Sequence, residues 1–252
     1  MKKIKRKIVA ILACRNNSKR LYGKPLRYLN KKKEIKIIDQ IIFTLKKLNI
    51  LDEIILAVPK TKINKVYEKV ALKHKIRITY GPEKNVIKRL IISAKETKAT
   101  DIFRVTSESP FLYHQQVTKL ISKYKKNKLD AIFFDNIIDG CGFEIFTLDS
   151  MIKSFRHARG NYKEHVTKYI RLNTNKFSIL KISGPKKLFR KDMRLTVDNY
   201  EDLVLCKNIY KKFSKDAPLF NLNKIVHYLD KNPKLKKLVE KYTSHGYKTM
   251  YL

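Results

Sequence analysis

Residues 8–26 read IVAILACRNNSKRLYGKPL, and this stretch decides the fold class. The run from Ile8 to Cys14 is short, fully apolar and contains Ile and Val, which predicts a strand buried on both faces of a sheet. A polar loop follows at once and carries three cations, Arg15, Arg20 and Lys24. Ligands of open α/β sheets bind at the carboxyl ends of strands, where backbone N–H groups and cationic side chains can cradle phosphates. The loop is therefore predicted to bind a triphosphate.

Strand and helix patterns alternate outward from this stretch. Strands are predicted over 8–14, 53–58, 76–80 and 101–106, and helices over 36–49, 61–74 and 83–97. Such alternation produces right-handed βαβ units and a parallel sheet. Beyond residue 112 the pattern loosens, with strands predicted over 129–134, 143–147, 177–182 and 193–197, and helices over 115–126, 150–159, 162–172 and 199–213, before two short helices divided at Pro233. The predicted fold is α/β, an open, mostly parallel Rossmann-like sheet with helices on both faces.

Length and composition limit the class of protein. A chain of 252 residues with 43% hydrophobic residues can bury the core of one large domain. No apolar run approaches the roughly 20 residues of a membrane helix, so no membrane span is expected. The basic N-terminus superficially resembles a secretion signal, but its apolar run is short and leads directly into the cationic loop. Three scattered cysteines without a CxxC motif favour a reducing compartment, and the expected location is cytoplasmic.

The formal net charge of +36 raises nucleic acid as a partner. The lysines are spread over the whole length, and neither a recognised binding module nor aromatic stacking platforms accompany them. No specific nucleic-acid partner is therefore expected. Diffuse positive charge would still attract anionic substrates and make their association sensitive to salt.

Five short motifs follow one another within residues 8–213. They are Arg15-x-x-Ser18-x-Arg20-Leu21-Tyr22-Gly23-Lys24, Gly81-x-Glu83-x-Asn85-Val86-x-x-Arg89, Arg104-x-Thr106-Ser107-Glu108-Ser109-Pro110, Glu164-His165-Val166-Thr167, and Leu195-Thr196-Val197-Asp198 with Glu201-Asp202-Leu203. By these motifs the chain resembles the cytidylyltransferases of the spore-coat polysaccharide synthesis type, relatives of the acylneuraminate and Kdo cytidylyltransferases. The resemblance implies a nucleotide-diphospho-sugar transferase type of fold with an acceptor-side lobe. It implies a single nucleotidyltransferase domain over 1–252, with a nucleotide-binding half to about residue 112 and an acceptor-binding half from about residue 113.

The resemblance also implies an activity: transfer of CMP from CTP to a small anionic acceptor, with release of pyrophosphate and with Mg²⁺ as cofactor. Attack on the α-phosphate builds up negative charge, so catalysis rests on positioning and neutralisation. The implied catalytic residues are Lys24, Arg15 and Arg20. The implied nucleotide-binding residues are Ala13, Cys14, Ser18, Gly23, Glu83, Asn85, Arg89 and Thr106. The implied metal ligands are Glu108 and Asp198, and the residues assigned to the acceptor are Glu144, His165 and Thr167.

The sequence departs from the family pattern at three informative positions. Tyr22 replaces a proline of the cationic loop, Asn85 replaces an aspartate, and Glu108 replaces the aspartate expected to bind metal. A longer carboxylate can still hold Mg²⁺ directly or through water. Glu108 also raises the alternative of a catalytically weakened homologue that acts as a nucleotide-binding module. A glycosyltransferase of similar shape would need an Asp-x-Asp motif, and residues 106–110 lack one.

The sequence alone leaves alternative roles open for several of these residues. Asp198 precedes a predicted helix and has the chemistry of an N-cap as well as of a metal ligand. Arg89 either reaches the nucleotide or is solvated, and His165 is either an acceptor residue or an ordinary helix residue. Cys14 is interpreted as a small core residue, since nothing nearby in sequence activates it. The acceptor is a 2-keto sugar acid or a phosphate or phosphonate monoester, and a homodimer is left open.

Overall fold

A seven-stranded sheet forms the centre of the computed structural model, which describes residues 6–157 and 165–244. The strands are β1 (Ile8–Ala13), β2 (Tyr28–Asn30), β3 (Ile35–Lys36), β4 (Glu53–Pro59), β5 (Arg77–Gly81), β6 (Asp101–Arg104), β7 (Ala131–Asp135), β8 (Glu144–Thr147) and β9 (Ile179–Ser183). The order in the sheet is β5-β4-β1-β6-β8-β7-β9. Within that sheet every described strand except β8 runs parallel to the others. The mostly parallel α/β fold predicted from the sequence is confirmed.

Helices cover both faces of this sheet. They are α1 (Ile37–Lys46), α2 (Val66–His74), α3 (Val86–Glu96), α4 (Val117–Lys126), α5 (Leu148–His157), α6 (Lys168–Leu172), α7 (Tyr200–Lys212), α8 (Leu222–Asp230) and α9 (Pro233–Lys237). Side chains of β1 alternate between two cores, because successive residues of a strand point to opposite faces. Ile8, Ala10 and Leu12 pack with residues of α1, α2, α4, α7 and α8. Val9 and Ile11 pack with residues of α3, α5 and α6.

The segment 193–197, predicted as a strand, is not one. Its apolar alternation is real, since Met193, Leu195 and Val197 are buried. The segment crosses the carboxyl edge of the sheet instead of lengthening a ladder, and Arg194 forms a single isolated bridge with Asp139. Its backbone bonds go to two loops: the Leu195 N–H donates to the Asp139 carbonyl at 2.8 Å, and the Val197 N–H donates to the Glu108 carbonyl at 3.0 Å. These bonds place Asp198 at the edge where ligands are expected.

Two further differences from the predicted elements are local. β2 and β3 form a separate antiparallel hairpin that the sequence did not predict, because each strand is too short to show a period of two. The predicted helix over 162–172 is described only from residue 165, and α6 begins at Lys168; the part of the prediction before residue 165 lies outside the described residues.

The reversed direction of strand β8 determines which residues lie at the carboxyl edge of the sheet between β6 and β7. Because β8 runs against its neighbours, its first residue, Glu144, lies at the edge where β6 ends with Arg104 and β7 ends with Asp135. Arg104 and Glu144 are direct partners in the β6–β8 register. The edge therefore collects charged residues from three strands. No described helix is both long and apolar enough to span a membrane.

Gly140 is the residue whose replacement should most directly disturb this edge. Its φ is +90°, and a Cβ there would lie 2.7 Å from the Thr196 backbone nitrogen. We expect Gly140→Ala to lower the free energy of unfolding by about 1–3 kcal/mol, because the residue would combine a strained backbone with a clash against backbone atoms. Urea unfolding followed by circular dichroism measures the loss. Gly184→Ala is the matched control, since a Cβ there meets its nearest atoms at 3.2 Å; an equal loss in both variants would contradict the prediction.

Candidate active site

The cationic loop after β1 is held in shape by Asn16, a residue the sequence analysis did not single out. The Asn16 N–H donates to Oδ1 of Asn64 at 2.8 Å, and its side-chain amide donates to the Ile63 carbonyl at 2.7 Å. The Asn16 carbonyl accepts the N–H of Gly23 at 2.9 Å. Gly23 has a left-handed backbone and precedes a short 3-10 helix over Lys24–Leu26. The loop is thus closed on itself and fastened to the segment that follows β4.

Lys24 and Arg20 of this loop both contact Asp198, which lies 174 residues further along the chain than Lys24. The Lys24 Nζ contacts Oδ1 of Asp198, and Nη2 of Arg20 lies 2.9 Å from the same oxygen. Arg194 contacts the other oxygen, Oδ2. Burial disfavours the Asp198 carboxylate, but these cations hold its pKa below the ordinary value. The structure therefore brings two of the three predicted catalytic cations, Lys24 and Arg20, together with one predicted metal ligand.

Arg194 organises the carboxylates around Asp198. Its Nη1 donates to Asp139 at 2.6 Å and its Nε to Asp202 at 3.1 Å, and only 4% of the residue is exposed. Asp202 in turn accepts the backbone N–H groups of Asp198 and Asn199 at 2.9 and 2.8 Å. Asn199, not Asp198, is the N-cap of α7, so the capping alternative for Asp198 is excluded. The signal for Arg194 in the sequence was its place directly before the Leu-Thr-Val-Asp motif.

Glu108 faces Asp198 across the site. Ser107 donates its hydroxyl to Oε2 of Glu108 at 2.9 Å. Burial and the neighbouring Asp198 charge raise the pKa of Glu108, and the Lys24 charge opposes that rise. The described residues hold no cluster of three or more His, Cys, Asp or Glu side chains suited to a metal. Two facing carboxylates still fit Mg²⁺, which is commonly held by one or two carboxylates together with phosphate oxygens of a substrate.

Two cavities meet at this point. The smaller, about 240 Å³, is lined on its outer side by Ala13, Arg15, Ser18, Lys24, Pro25, Val86, Arg89 and Ser107. The larger, about 280 Å³, is lined by groups from β7, β8, α6 and the 194–198 segment. Both are lined by the same five residues, Arg104, Val105, Thr106, Glu108 and His165. Lys24 lines the smaller cavity and Asp198 the larger, so their ion pair joins the two.

Arg89 is buried in the wall of the smaller cavity. The interpretation of Arg89 as a solvated surface residue is therefore wrong. Only 1% of the residue is exposed, and its guanidinium donates to the carbonyls of Ala57, Pro82 and Glu83 at 2.8–3.2 Å. Burial lowers the pKa of Arg89 to about 10. Gly81 permits this packing, because a Cβ there would lie 2.9 Å from Cγ of Arg89. Because Arg89 has no carboxylate partner among the described residues, its buried charge suits the binding of an anion.

Other predicted nucleotide residues lie behind the cavity wall. Asn85 caps α3, with its Oδ1 accepting the Lys88 N–H at 2.9 Å. Cys14 is fully buried, and burial raises the pKa of its thiol to about 12, as expected for a core residue and not for a nucleophile. Neither residue lines the smaller cavity, and the same is true of Gly23 and Glu83.

The floor of the larger cavity is a row of alternating charges. Arg171 donates to both oxygens of Asp135, at 2.9 and 3.0 Å, and to Oε1 of Glu144 at 2.8 Å. Arg104 donates to Oε2 of Glu144 at 2.5 Å, and Thr167 donates its hydroxyl to Oε1 at 2.7 Å. Burial opposes ionisation of Glu144, but the two arginines lower its pKa to about 2. Of the predicted acceptor residues, Glu144 and Thr167 therefore contact each other.

His165 is exposed and lines both cavities. Glu164, the first residue of its motif, lies outside the described residues. The hydroxyls of Thr106, Ser109 and Thr196, which also line the larger cavity, form a chain with oxygen–oxygen distances of 2.5 and 2.9 Å. The larger cavity thus presents both hydroxyls and charged groups.

A family model described as cytidylyltransferase matches residues 9–244. The chain belongs to the cytidylyltransferase family. It is accordingly a CTP-dependent nucleotidyltransferase, as the five motifs predicted.

Two relatives and a solved structure are similar to this chain over most of its length. An uncharacterised protein of Methanocaldococcus jannaschii is 31% identical over 233 residues, covering 92% of this chain and 94% of that protein. The spore coat polysaccharide biosynthesis protein SpsF of Bacillus subtilis is 25% identical over 232 residues, covering 90% of this chain and 95% of that protein. A cytidylyltransferase structure from Leptospira borgpetersenii has the same fold, with a TM-score of 0.81 at 23% identity over 92% of this chain and 97% of that one.

The Glu144 carboxylate gives this cytidylyltransferase a testable pH dependence. Its pKa in the folded protein, about 2, lies below the ordinary value of 4.5. The stabilisation from its ion pairs is therefore complete above about pH 4.5 and is lost as the pH falls toward 2.

We expect Glu144→Gln to lose on the order of 3 kcal/mol of unfolding free energy at neutral pH, and less as the pH falls through that window. Urea unfolding between pH 7 and 3 measures the difference from the unaltered protein. Glu96→Gln, at the exposed end of α3, is the control. A difference that stays constant with pH would refute the ion-pair explanation.

Proposed function

We propose that this cytidylyltransferase transfers CMP from CTP to an acidic acceptor, either a 2-keto sugar acid or a phosphate or phosphonate monoester, and releases pyrophosphate. The observation that carries the proposal is the junction of the two cavities, where Lys24 and Arg20 pair with Asp198 and where Glu108 lines both cavities. The name of the Bacillus subtilis relative supports a role in surface polysaccharide or glycoconjugate precursor synthesis.

The smaller cavity has the charges that a nucleoside triphosphate requires. Arg15, Lys24 and the buried Arg89 line it, and Arg20 stands beside Lys24 on Asp198. In the free protein Asp198 engages Lys24 and Arg20; a bound triphosphate would attract both cations more strongly, because it carries several charges. We assign residues up to about 112 to nucleotide binding on this ground, and we expect these cations to stabilise the charge that develops on departing pyrophosphate.

Glu108 and Asp198 are the residues that would hold Mg²⁺. Bound there, the ion would offset the negative charge of the triphosphate next to the α-phosphorus. Arg194 keeps the Asp198 carboxylate oriented through its contact with Oδ2. Ser107 does the same for Glu108 through its hydroxyl. The two carboxylates are thus fixed by neighbouring side chains before any ligand arrives.

The larger cavity is the proposed acceptor site. The charged groups from Asp135 to Arg104 and the hydroxyl chain of Thr106, Ser109 and Thr196 all line it and can orient a small polar molecule. His165 stands where both cavities open, so it would meet the acceptor close to the transferred phosphorus. The residues from about 113 onward supply most of this wall, which supports an acceptor-binding half.

Nucleotide selectivity and pyrophosphate release test the function together. We expect CTP with Mg²⁺ to raise the thermal unfolding midpoint more than ATP, GTP or UTP, and we expect pyrophosphate release when 2-keto sugar acids, phosphate monoesters and phosphonate monoesters are supplied in turn. Lys24→Ala should slow release by on the order of 10²-fold, whereas Lys19→Ala, an exposed lysine of the same loop, should leave it unchanged.

Equal stabilisation by all four nucleotides would remove the base preference, and no stabilisation by any of them would disprove nucleotide binding. CTP binding without pyrophosphate release for any acceptor would favour the nucleotide-binding module instead.

Replacement of Glu108 separates a metal ligand from a bystander. If Glu108 contacts Mg²⁺, Glu108→Asp should shift the Mg²⁺ concentration needed for half-maximal turnover, because the shorter side chain moves the carboxylate. Glu108→Ala should lower turnover by on the order of 10²-fold. Magnesium titrations of pyrophosphate release measure both effects, with Glu96→Ala, at the exposed end of α3, as an acidic control outside both cavity linings. If Glu108→Asp and Glu108→Ala both behave like the unaltered protein, Glu108 is not a metal ligand, and Asp198 alone would contribute a carboxylate to Mg²⁺.

A further inference from the structure

Arg104 occupies the point where the two cavities meet. Among the five residues that line both cavities, Arg104 and His165 are the two that can carry positive charge. Arg104 is permanently charged, and about a quarter of its side chain, 26%, is exposed. In a nucleotidyl transfer the α-phosphate must lie where nucleotide and acceptor meet, so a cation at this junction is placed beside the reacting phosphorus.

The fold fixes the position of this guanidinium. Arg104 ends β6 and Glu144 begins the reversed strand β8, and the two are direct partners across the antiparallel pair. Glu144 cannot turn away, because Arg171 and Thr167 hold its other oxygen at 2.8 and 2.7 Å. Arg104 is therefore oriented by a carboxylate that is itself held in place, which reduces the entropy lost when the guanidinium binds a ligand.

Two guanidinium nitrogens of Arg104 have no hydrogen-bond partner among the described residues, whereas every guanidinium nitrogen of Arg171 and Arg194 has one. Arg171 forms ion pairs with two carboxylates, Asp135 and Glu144, and Arg194 forms ion pairs with three. Arg104 forms an ion pair with Glu144 alone, through Nη1, and the same Glu144 carboxylate also pairs with Arg171. Among the described residues, no hydrogen-bond partner occupies Nε or Nη2 of Arg104. An arginine with unused donors at the edge of a cavity can bind a phosphate oxygen.

We propose that Arg104 is a catalytic residue that contacts the α-phosphate of the nucleotide. The inference rests on the proposed function. In the transfer, the acceptor oxygen forms a bond to the α-phosphorus while the bond from that phosphorus to the bridging oxygen breaks, and its electron pair leaves with pyrophosphate. Any proton on the acceptor oxygen passes to solvent. Arg104 stays charged throughout and stabilises the negative charge that increases on the α-phosphoryl oxygens.

The competing explanation is that Arg104 only joins β6 to β8 through its ion pair with Glu144. The two explanations differ in what they predict for ligands with and without an α-phosphate. If Arg104 is purely structural, its replacement should lower the affinities for cytidine, CMP and CTP alike. If Arg104 contacts the α-phosphate, its replacement should lower the affinities for CMP and CTP by a similar factor and leave the affinity for cytidine unchanged.

Isothermal titration of cytidine, CMP and CTP in the presence of Mg²⁺ distinguishes them. We expect Arg104→Met to lower the affinities for CMP and CTP by about tenfold each, as for loss of one charge-assisted contact. The affinity for cytidine should not change. Arg104→Lys keeps the charge beside Glu144 and thus the strand pair, but it lacks the separate guanidinium nitrogens that would contact Glu144 and a phosphate oxygen together. This variant should fold and should still lose part of the preference for CMP over cytidine. Lys24→Met, a change in the cationic loop, should lower the affinity for CTP more than the affinity for CMP.

A CMP-to-cytidine affinity ratio that stays at its original value in both Arg104 variants would overturn the inference. Equal weakening of all three ligands would do the same, since it would indicate a structural role. If the unaltered protein binds neither CMP nor CTP, the proposed function itself fails, and that result is distinct because it needs no variant.

Discussion

The buried guanidinium of Arg194 is the constraint on which the site depends. It joins Asp139, which follows β7, to Asp198 and Asp202 at the start of α7. Burying a charge with only 4% exposure costs free energy, and the three carboxylates around Arg194 offset that cost. The segment 193–198 is therefore fixed across the edge of the sheet, and Asp198 faces the cationic loop without belonging to any strand or helix.

The reversed strand β8 builds the second half of the site by the same kind of pairing. Its direction places the first residue, Glu144, beside residues that end two parallel strands. The row Asp135–Arg171–Glu144–Arg104 alternates in sign, so each charge has an opposite neighbour. The guanidinium of Arg171 also lies 3.8 Å from the ring centre of Phe133, which supports it from below. A rigid floor of this kind suits a reaction that depends on positioning.

The net charge of +36 does not describe the lining of the larger cavity. No lysine lines the described part of the larger cavity, although the chain has 58 lysines and arginines in total. Five carboxylates and three arginines line it, and most are paired. The excess positive charge lies mainly on the surface, where it is solvated and screened. Charge at the site is set by a few buried pairs and not by the composition of the chain.

The sequence by itself determined the fold class, the family and the cationic loop. The apolar run at 8–13, the alternation of strands with helices and the five ordered motifs are local patterns, and the fold and family they predicted are confirmed. The assignments of individual site residues stay predictions. Only the tertiary structure decided that 193–197 is not a strand, that Arg89 is buried, and that Arg194 and Arg104 hold the carboxylates of the site. The physical reason is that the contact of Lys24 with Asp198 spans 174 residues, and no local pattern encodes which charges become neighbours when strand order and strand direction close the sheet.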